Sequence, residues 1–295
     1  MKILLLGKNG QLGWELQRSL APLGEVCAPG RAQGGDLEDT AALVEMVQRE
    51  QPQVIVNAAA YTAVDRAETE TEIAMQVNAA APAALALLAQ DMGALLVHYS
   101  SDYVYDGSGS HARTEDEEPG PLSAYGRSKL EGDLAIEHSG CAHLILRTSW
   151  VYAARGGNFA KTMLRLAAER EELSVINDQI GAPTGADLLA DLSAHMIRHT
   201  LVQPQLVGLY HVAATGSTNW HGYACHVIEQ AERLGAKLKV RATEVRALST
   251  DQYPTAAPRP MNSRLSCEKL RARFGLSLPD WRLGVDRMLM EILRP

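Results

Sequence analysis

The feature that most restricts how this chain folds is a glycine loop between a strand and a helix at its start. Lys2 to Leu6 is a short apolar run closed by glycine, the pattern of a buried parallel strand. Gly7-Lys8-Asn9-Gly10-Gln11-Leu12-Gly13 follows. Leu12, Leu16 and Leu20 then recur every fourth residue, a helical stripe that Pro22 and Gly24 end. Strand, glycine loop and amphipathic helix form the setting that a dinucleotide fingerprint needs. Glycines let the backbone approach a pyrophosphate, whose charge suits the positive end of the helix. The spacing Gly-x-x-Gly-x-x-Gly is one residue longer than the commonest form. A tight strand-to-helix turn without a ligand would carry the same glycines.

The rest of the first half repeats the alternation. A second strand, Glu25 to Ala28, runs into Pro29-Gly30-Arg31 with no acidic residue at its end. An acid there usually meets a free ribose 2′-hydroxyl. Arg31 instead suits a 2′-phosphate, which favours NADPH; the alternative is a solvated loop charge. Asp36-Leu37 opens the next helical region, with Asp36 either at the adenine end of a cofactor or a helix cap. Gln53 to Ala60 is a third strand ending in small residues, followed by Tyr61-Thr62. Asn78 to Met92 is an alanine-leucine helix, and Leu95 to Tyr99 a fourth strand running into Ser100-Ser101-Asp102. His98, inside that strand, reads as a core histidine. Gly107 to Pro121 is a loop, and Leu144 to Trp150 the next strand. Alternation repeated about five times predicts a Rossmann-like doubly wound parallel sheet over residues 1–150. Ligands of such sheets lie at the carboxyl ends of the strands, where Gly10, Ala60, Ser101 and Trp150 all fall.

Beyond residue 150 the pattern is mixed. Helices are expected over Phe159–Glu169, Ala186–His199, Trp220–Leu234 and Trp281–Leu293, with strands at Leu173–Ile176, Gly208–Val212 and Leu238–Val245. Residues 151–295 read as a second, smaller α/β substrate lobe, with some segments returning to the first.

Tyr125 and Lys129 carry the chemistry. Four residues apart on a helix, they lie on one face with β-carbons about 5–6 Å apart. A ketone accepts a hydride more readily when its oxygen is protonated as charge develops. An ammonium nearby favours a phenolate and should bring the phenol down towards working pH. The candidate catalytic residues are therefore Tyr125 as general acid, Lys129 tuning it, and Ser101 holding the carbonyl oxygen. A surface pair on a helix has the same spacing; Ser101 at a strand end and the glycine loop favour the site.

The charge and the cysteines narrow the class further. A net charge of −7 argues against a nucleic-acid partner. No apolar run in the sequence reaches membrane-spanning length, so no membrane partner is expected. Cys27, Cys141, Cys225 and Cys267 are scattered, as in reduced cytoplasmic proteins. His195 and His199 have metal-like helical spacing, but no glutamate follows His195, and they read as surface or packing residues.

Longer matches carry a resemblance over essentially the whole chain. They include Asn57-Ala58-Ala59-Ala60-Tyr61-Thr62-Ala63-Val64-Asp65, Ser100-Ser101-Asp102-Tyr103-Val104-Tyr105 and Arg147-Thr148-Ser149-Trp150-Val151-Tyr152. Asn158-Phe159-Ala160-Lys161, Asn177-Asp178-Gln179 with Gly181-Ala182-Pro183-Thr184, and Arg259-Pro260-Met261-Asn262-Ser263-Arg264-Leu265 continue them. With these motifs the chain resembles the extended short-chain dehydrogenase/reductases, and among them the dTDP-4-dehydrorhamnose reductase family. The resemblance implies reduction of the 4-keto group of dTDP-4-dehydro-β-L-rhamnose, the last step of dTDP-L-rhamnose synthesis. It implies cofactor contacts at Gly10, Gln11, Leu12, Asp36, Leu37, Ala60, Tyr61, Thr62, Tyr125 and Lys129, beside the Gly7 and Gly13 of the loop. It implies sugar contacts at Ser101, Asp102 and Trp150. Ser101 stands where some relatives have threonine, and either hydroxyl can donate. Gly30 replaces an acid of some relatives, which again favours NADPH, although the family also uses NADH. Some members resemble homodimers linked by Mg2+; Glu15 and Asp187 are the candidate acids, or simply solvated helix charges.

The substrate's diphosphate needs local cations in an acidic protein. Arg259 and Arg264 suit it because guanidinium binds phosphate bidentately; pairing with surface acids is the alternative. Two other functions fit the same fold, a nucleotide-sugar epimerase or dehydratase and a non-catalytic NADP-binding subunit. Related dehydratases resemble a Thr-Asp-Glu site, and Ser101-Asp102-Tyr103 lacks that glutamate.

Overall fold

The computed structural model describes residues 1–294, so residue 295, the end of the expected second lobe, lies outside them. Six strands form one parallel sheet: β1 (Lys2–Leu6), β2 (Glu25–Cys27), β3 (Val54–Asn57), β4 (Leu95–Ser101), β5 (His143–Thr148) and β6 (Gly208–His211). Across the sheet the order is β6-β5-β4-β3-β1-β2. The strand order reverses between β1 and β3, which is where an open α/β sheet leaves a crevice.

Both sheet faces are apolar and both are covered. On one side Ile3, Leu5, Val54, Val56, Val97 and Leu146 pack with Leu16 and Leu20 of the Gln11–Leu20 helix and with Leu189, Met196 and Ile197 of the Ala186–Val202 helix. On the other, Leu4, Leu6, Ile55, Leu96 and Ile145 meet Leu43 and Val47, Leu85 and Ala89, and Ile136. Towards the carboxyl ends of the strands this second face turns polar, at Asn57, His98, Ser100 and Arg147, all buried. Residues 186–211 thus pack with the first half of the chain, giving it a helix and its sixth strand.

Several boundaries differ from the sequence expectation. β3 stops at Asn57 because Gly7, at φ +84°, crosses the next residues so closely that a Cβ there would lie 2.7 Å from Ala58 C. The alanine-leucine helix runs from Thr71 to Met92, with a π segment at Gln76–Ala80. That helix is long and apolar enough to cross a membrane, by length and composition only. It lies against β3, β4 and the Ala124–Ser139 helix. Leu238–Val245 is not a strand. The Lys239 and Val240 amides cap the end of the Phe159–Glu169 helix through Ala167 O, and the strand forms later, at Arg246–Leu248 beside Ser174–Ile176.

The second lobe has its own core. Ala160, Met163, Val227, Ile228, Val285 and Leu289 bring together the Phe159–Glu169, Trp220–Arg233 and Trp281–Leu293 helices.

Candidate active site

The glycine loop fits a phosphate by what it leaves open. Gly10 N donates to Gly7 O at 2.9 Å, closing the turn. Gly13 packs the helix onto this turn so tightly that a Cβ would lie 2.0 Å from Gly7 O. No side chain caps the Gln11–Leu20 helix and its first turn holds no acid, so its amides at Gln11 and Leu12 stay available to an anion. Gln11 also reaches the second lobe, where Asn158 Nδ2 donates to its Oε1 at 3.0 Å.

The far side of the crevice is built by the Ala124–Ser139 helix. Ser123 caps it, accepting from Gly126 N at 3.1 Å. Tyr125, Lys129 and Asp133 follow at four-residue spacing and form one stripe against the polar strand ends. Ser101, the last residue of β4, lies against the Tyr125 phenol and favours its ionisation. The Ser101 hydroxyl donates to Asp102 Oδ1 (3.1 Å) and accepts from Tyr103 N (3.2 Å). Phenol and hydroxyl therefore lie together at the carboxyl end of β4.

In the free chain Lys129 does not lower the Tyr125 phenol as the spacing suggested. Its Nζ turns inward, donating to Tyr99 O at 2.7 Å and lying 3.1 Å from His98 Nε2. Burial pushes Tyr125 up to about 12, with Asp102 and Asp133 adding to it, and pushes Lys129 down to about 8. Desolvation outweighs the expected ammonium effect because the lysine is 1% exposed and has spent its donor elsewhere. Beneath it, Arg147 Nε donates to Asp133 Oδ2 (3.0 Å), as does Ser100 (2.8 Å).

Two further elements fix the crevice walls. Asn78 accepts from Tyr61 N (2.9 Å) and donates to Tyr61 O and Ser128 Oγ (3.0 Å each), tying the Ala58–Thr62 turn to the Tyr125 helix. Trp150 has φ +48°, in the left-handed region, and stacks on Trp220 with centroids 3.6 Å apart.

The model of the RmlD substrate binding domain matches residues 1–294. The chain is 52% identical over 295 residues to the dTDP-4-dehydrorhamnose reductase of Salmonella typhimurium, covering 99% of this chain and 98% of that one. The chain belongs to the dTDP-4-dehydrorhamnose reductases. Among solved structures, the reductase of Bacillus anthracis, in complex with NADP, is similar at a TM-score of 0.88 and 35% identity, covering 98% of this chain and 99% of that one. That of Clostridium acetobutylicum is similar at 0.89 and 33%, covering all of both chains.

The remaining candidates of this reductase fall in different places. Ala60 and Thr62 are exposed at the crevice, and the Tyr61 phenol bonds Glu70. Leu37 is a core residue beside Leu43, so only its backbone faces outward contacts. Asp36 accepts from Glu38 N (3.2 Å), and Asp39, not Asp36, caps the following helix. Arg31 is largely exposed, 3.6 Å from Glu38 and 3.9 Å from Asp36. Arg259 is held bidentately by Asp65, at 3.0 and 2.6 Å. Arg264 donates to Asn262 Oδ1 (2.9 Å) and, with Arg271 and Cys267, lines a cavity of about 290 Å3.

Each acid expected for magnesium has an arginine beside it. Glu15 faces Arg18 at 3.7 Å and Asp187 faces Arg287 at 3.3 Å. Among the described residues no three His, Cys, Asp or Glu side chains are grouped to hold a metal. His195 is exposed and His199 stacks on Phe274. Sequence reasoning missed Asn57, Asn78, Asp133 and Trp220. Asp133 was legible as the third member of the Tyr125–Lys129 stripe; the others needed the register.

Proposed function

We propose that this chain reduces the 4-keto group of dTDP-4-dehydro-β-L-rhamnose with NADPH, giving dTDP-β-L-rhamnose. The observation that supports the reading is the proximity of the Tyr125 phenol to the Ser101 hydroxyl, together with the uncapped glycine loop. Family membership supplies the substrate class. When bound, the reduced pyridine ring supplies a hydride. Ser101 hydrogen-bonds the ketone oxygen, and Tyr125 gives that oxygen its phenolic proton. A phenol near 12 stays protonated across the working range, as a proton donor must. Gly7, Gly10, Gly13, Gln11 and Leu12 receive the pyrophosphate, and Arg31 meets a 2′-phosphate. Trp150 walls the sugar, with Asp102 and Arg259 nearby. The Arg264 side chain reaches the diphosphate only if it leaves Asn262. Unpaired cysteines and a soluble nucleotide substrate support a cytoplasmic enzyme.

Replacing Tyr125 by Phe removes one oxygen. Turnover of the 4-keto nucleotide sugar, followed by NADPH oxidation, falls by about 10²–10⁴-fold with cofactor affinity unchanged. Persistent turnover would identify another acid. Stoichiometric loss of NADPH separates this reaction from an epimerase or dehydratase, which would regenerate its NAD.

A further inference from the structure

Lys129 sits where a hydrogen-bond chain dictates its protonation. The register of the sheet sets Asn57 of β3 beside His98 of β4, and both are 1% exposed. The Ala59 amide donates to Asn57 Oδ1 at 3.2 Å, which fixes the amide group and turns Nδ2 towards His98 Nδ1, also at 3.2 Å. An amide nitrogen can only donate. His98 Nδ1 must therefore accept, and the ring proton sits on Nε2. That N–H points at Lys129 Nζ, 3.1 Å away. An ammonium has no lone pair to receive it; an amine has one. The amine still donates to Tyr99 O.

We propose that Asn57 and His98 are positioning residues that fix one imidazole tautomer and thereby favour the neutral amine of Lys129 over its ammonium in the free chain. The other groups around Lys129 do not reverse this. Asp133, one turn along the same helix, favours the ammonium, but burial is the larger effect on Lys129, and Arg147 of β5 and Ser100 of β4 occupy the carboxylate's Oδ2. Tyr125, one turn back, is protonated. On the Thr71–Met92 helix, the Asn78 amide bonds Ser128. Burial also lowers both His98 and Lys129, and charge on Lys129 disfavours charge on His98.

The catalytic consequence rests on the function proposed above. A phenolate left after proton transfer is stabilised by an ammonium and not by an amine. Above its titration Lys129 must take a proton from solvent when the crevice fills, so kcat/KM declines as pH rises through that titration.

Nitrogen-15 spectra of the free, unmodified chain test the tautomer directly: the proton is expected on Nε2 of His98, with Nδ1 bare. The ε-carbon of Lys129 should titrate well below an ordinary lysine. Asn57→Asp offers Nδ1 an acceptor and moves the proton there; His98→Asn offers Lys129 a carbonyl without adding charge. In both variants the lysine midpoint should rise by about one pH unit or more, and the alkaline limb of kcat/KM should rise with it. A proton on Nδ1 in the unmodified chain, or a lysine midpoint at the ordinary value, overturns the proposal even if neither variant folds. Midpoints that move while the kinetic limb stays leave the tautomer device standing and remove the lysine from the proposed reaction.

Discussion

Asp102 shows how closely chemistry and stability compete at the scale of one residue. Its Oδ1 is bonded by Ser101, while Oδ2 is buried without a partner. Burial raises the carboxyl from 3.8 to about 6. The folded chain thus binds this proton more tightly than the unfolded chain. The group's contribution to stability is complete below the unfolded value of 3.8 and is lost as pH rises through about 6. Asp102→Asn should therefore stabilise the protein at pH 8, by roughly 2–3 kcal/mol at most, and leave it unchanged at pH 3.5. Thermal melts at the two values check this, and an equal effect at both would refute it. The Tyr125–Lys129 pair was legible because four-residue spacing defines a helix face. The protonation of that pair was not, because it follows from burial and from neighbours on other elements that only the fold brings to the helix.

At the scale of elements, the Ala124–Ser139 helix is placed by a glycine rather than by apolar side chains. A Cβ on Gly132 would lie 2.1 Å from Asn78 O, so the two helices touch backbone to backbone. Gly132→Ala should force them apart, cost about 1–3 kcal/mol, and displace Tyr125 from Ser101. Denaturant midpoints and turnover measured together test it: turnover should fall at temperatures where the variant is still folded. Strand–helix alternation made most of the sheet readable from apolar runs and glycine boundaries. Leu238–Val245 misled because alternating apolar residues also suit a segment that caps a helix, and sequence does not reveal which partner is nearby.

For the whole molecule, polar contacts join the two halves beside their shared apolar core. Asp65 of the first half grips Arg259 of the second, and Asn158 reaches back to Gln11. The Asp65–Arg259 pair is partly exposed and should contribute only about 0–1 kcal/mol to folding. Asp65→Asn is then expected to leave the melting temperature nearly unchanged while raising KM for the nucleotide sugar several-fold more than KM for NADPH. Equal changes in the two constants would detach Arg259 from the sugar side.

Trp150 is held in a left-handed backbone with its ring over Gly181, where a Cβ would come within 2.7 Å of the indole. The two positions are separated by a helix and a strand in sequence, yet neither can vary by itself. Any side chain at residue 181 evicts the indole, and a smaller residue at 150 leaves an unfilled gap beside Trp220. Across evolution, and in any randomised library, they should be inherited as a couplet. A change in which sugar is accepted would then require both codons to move together.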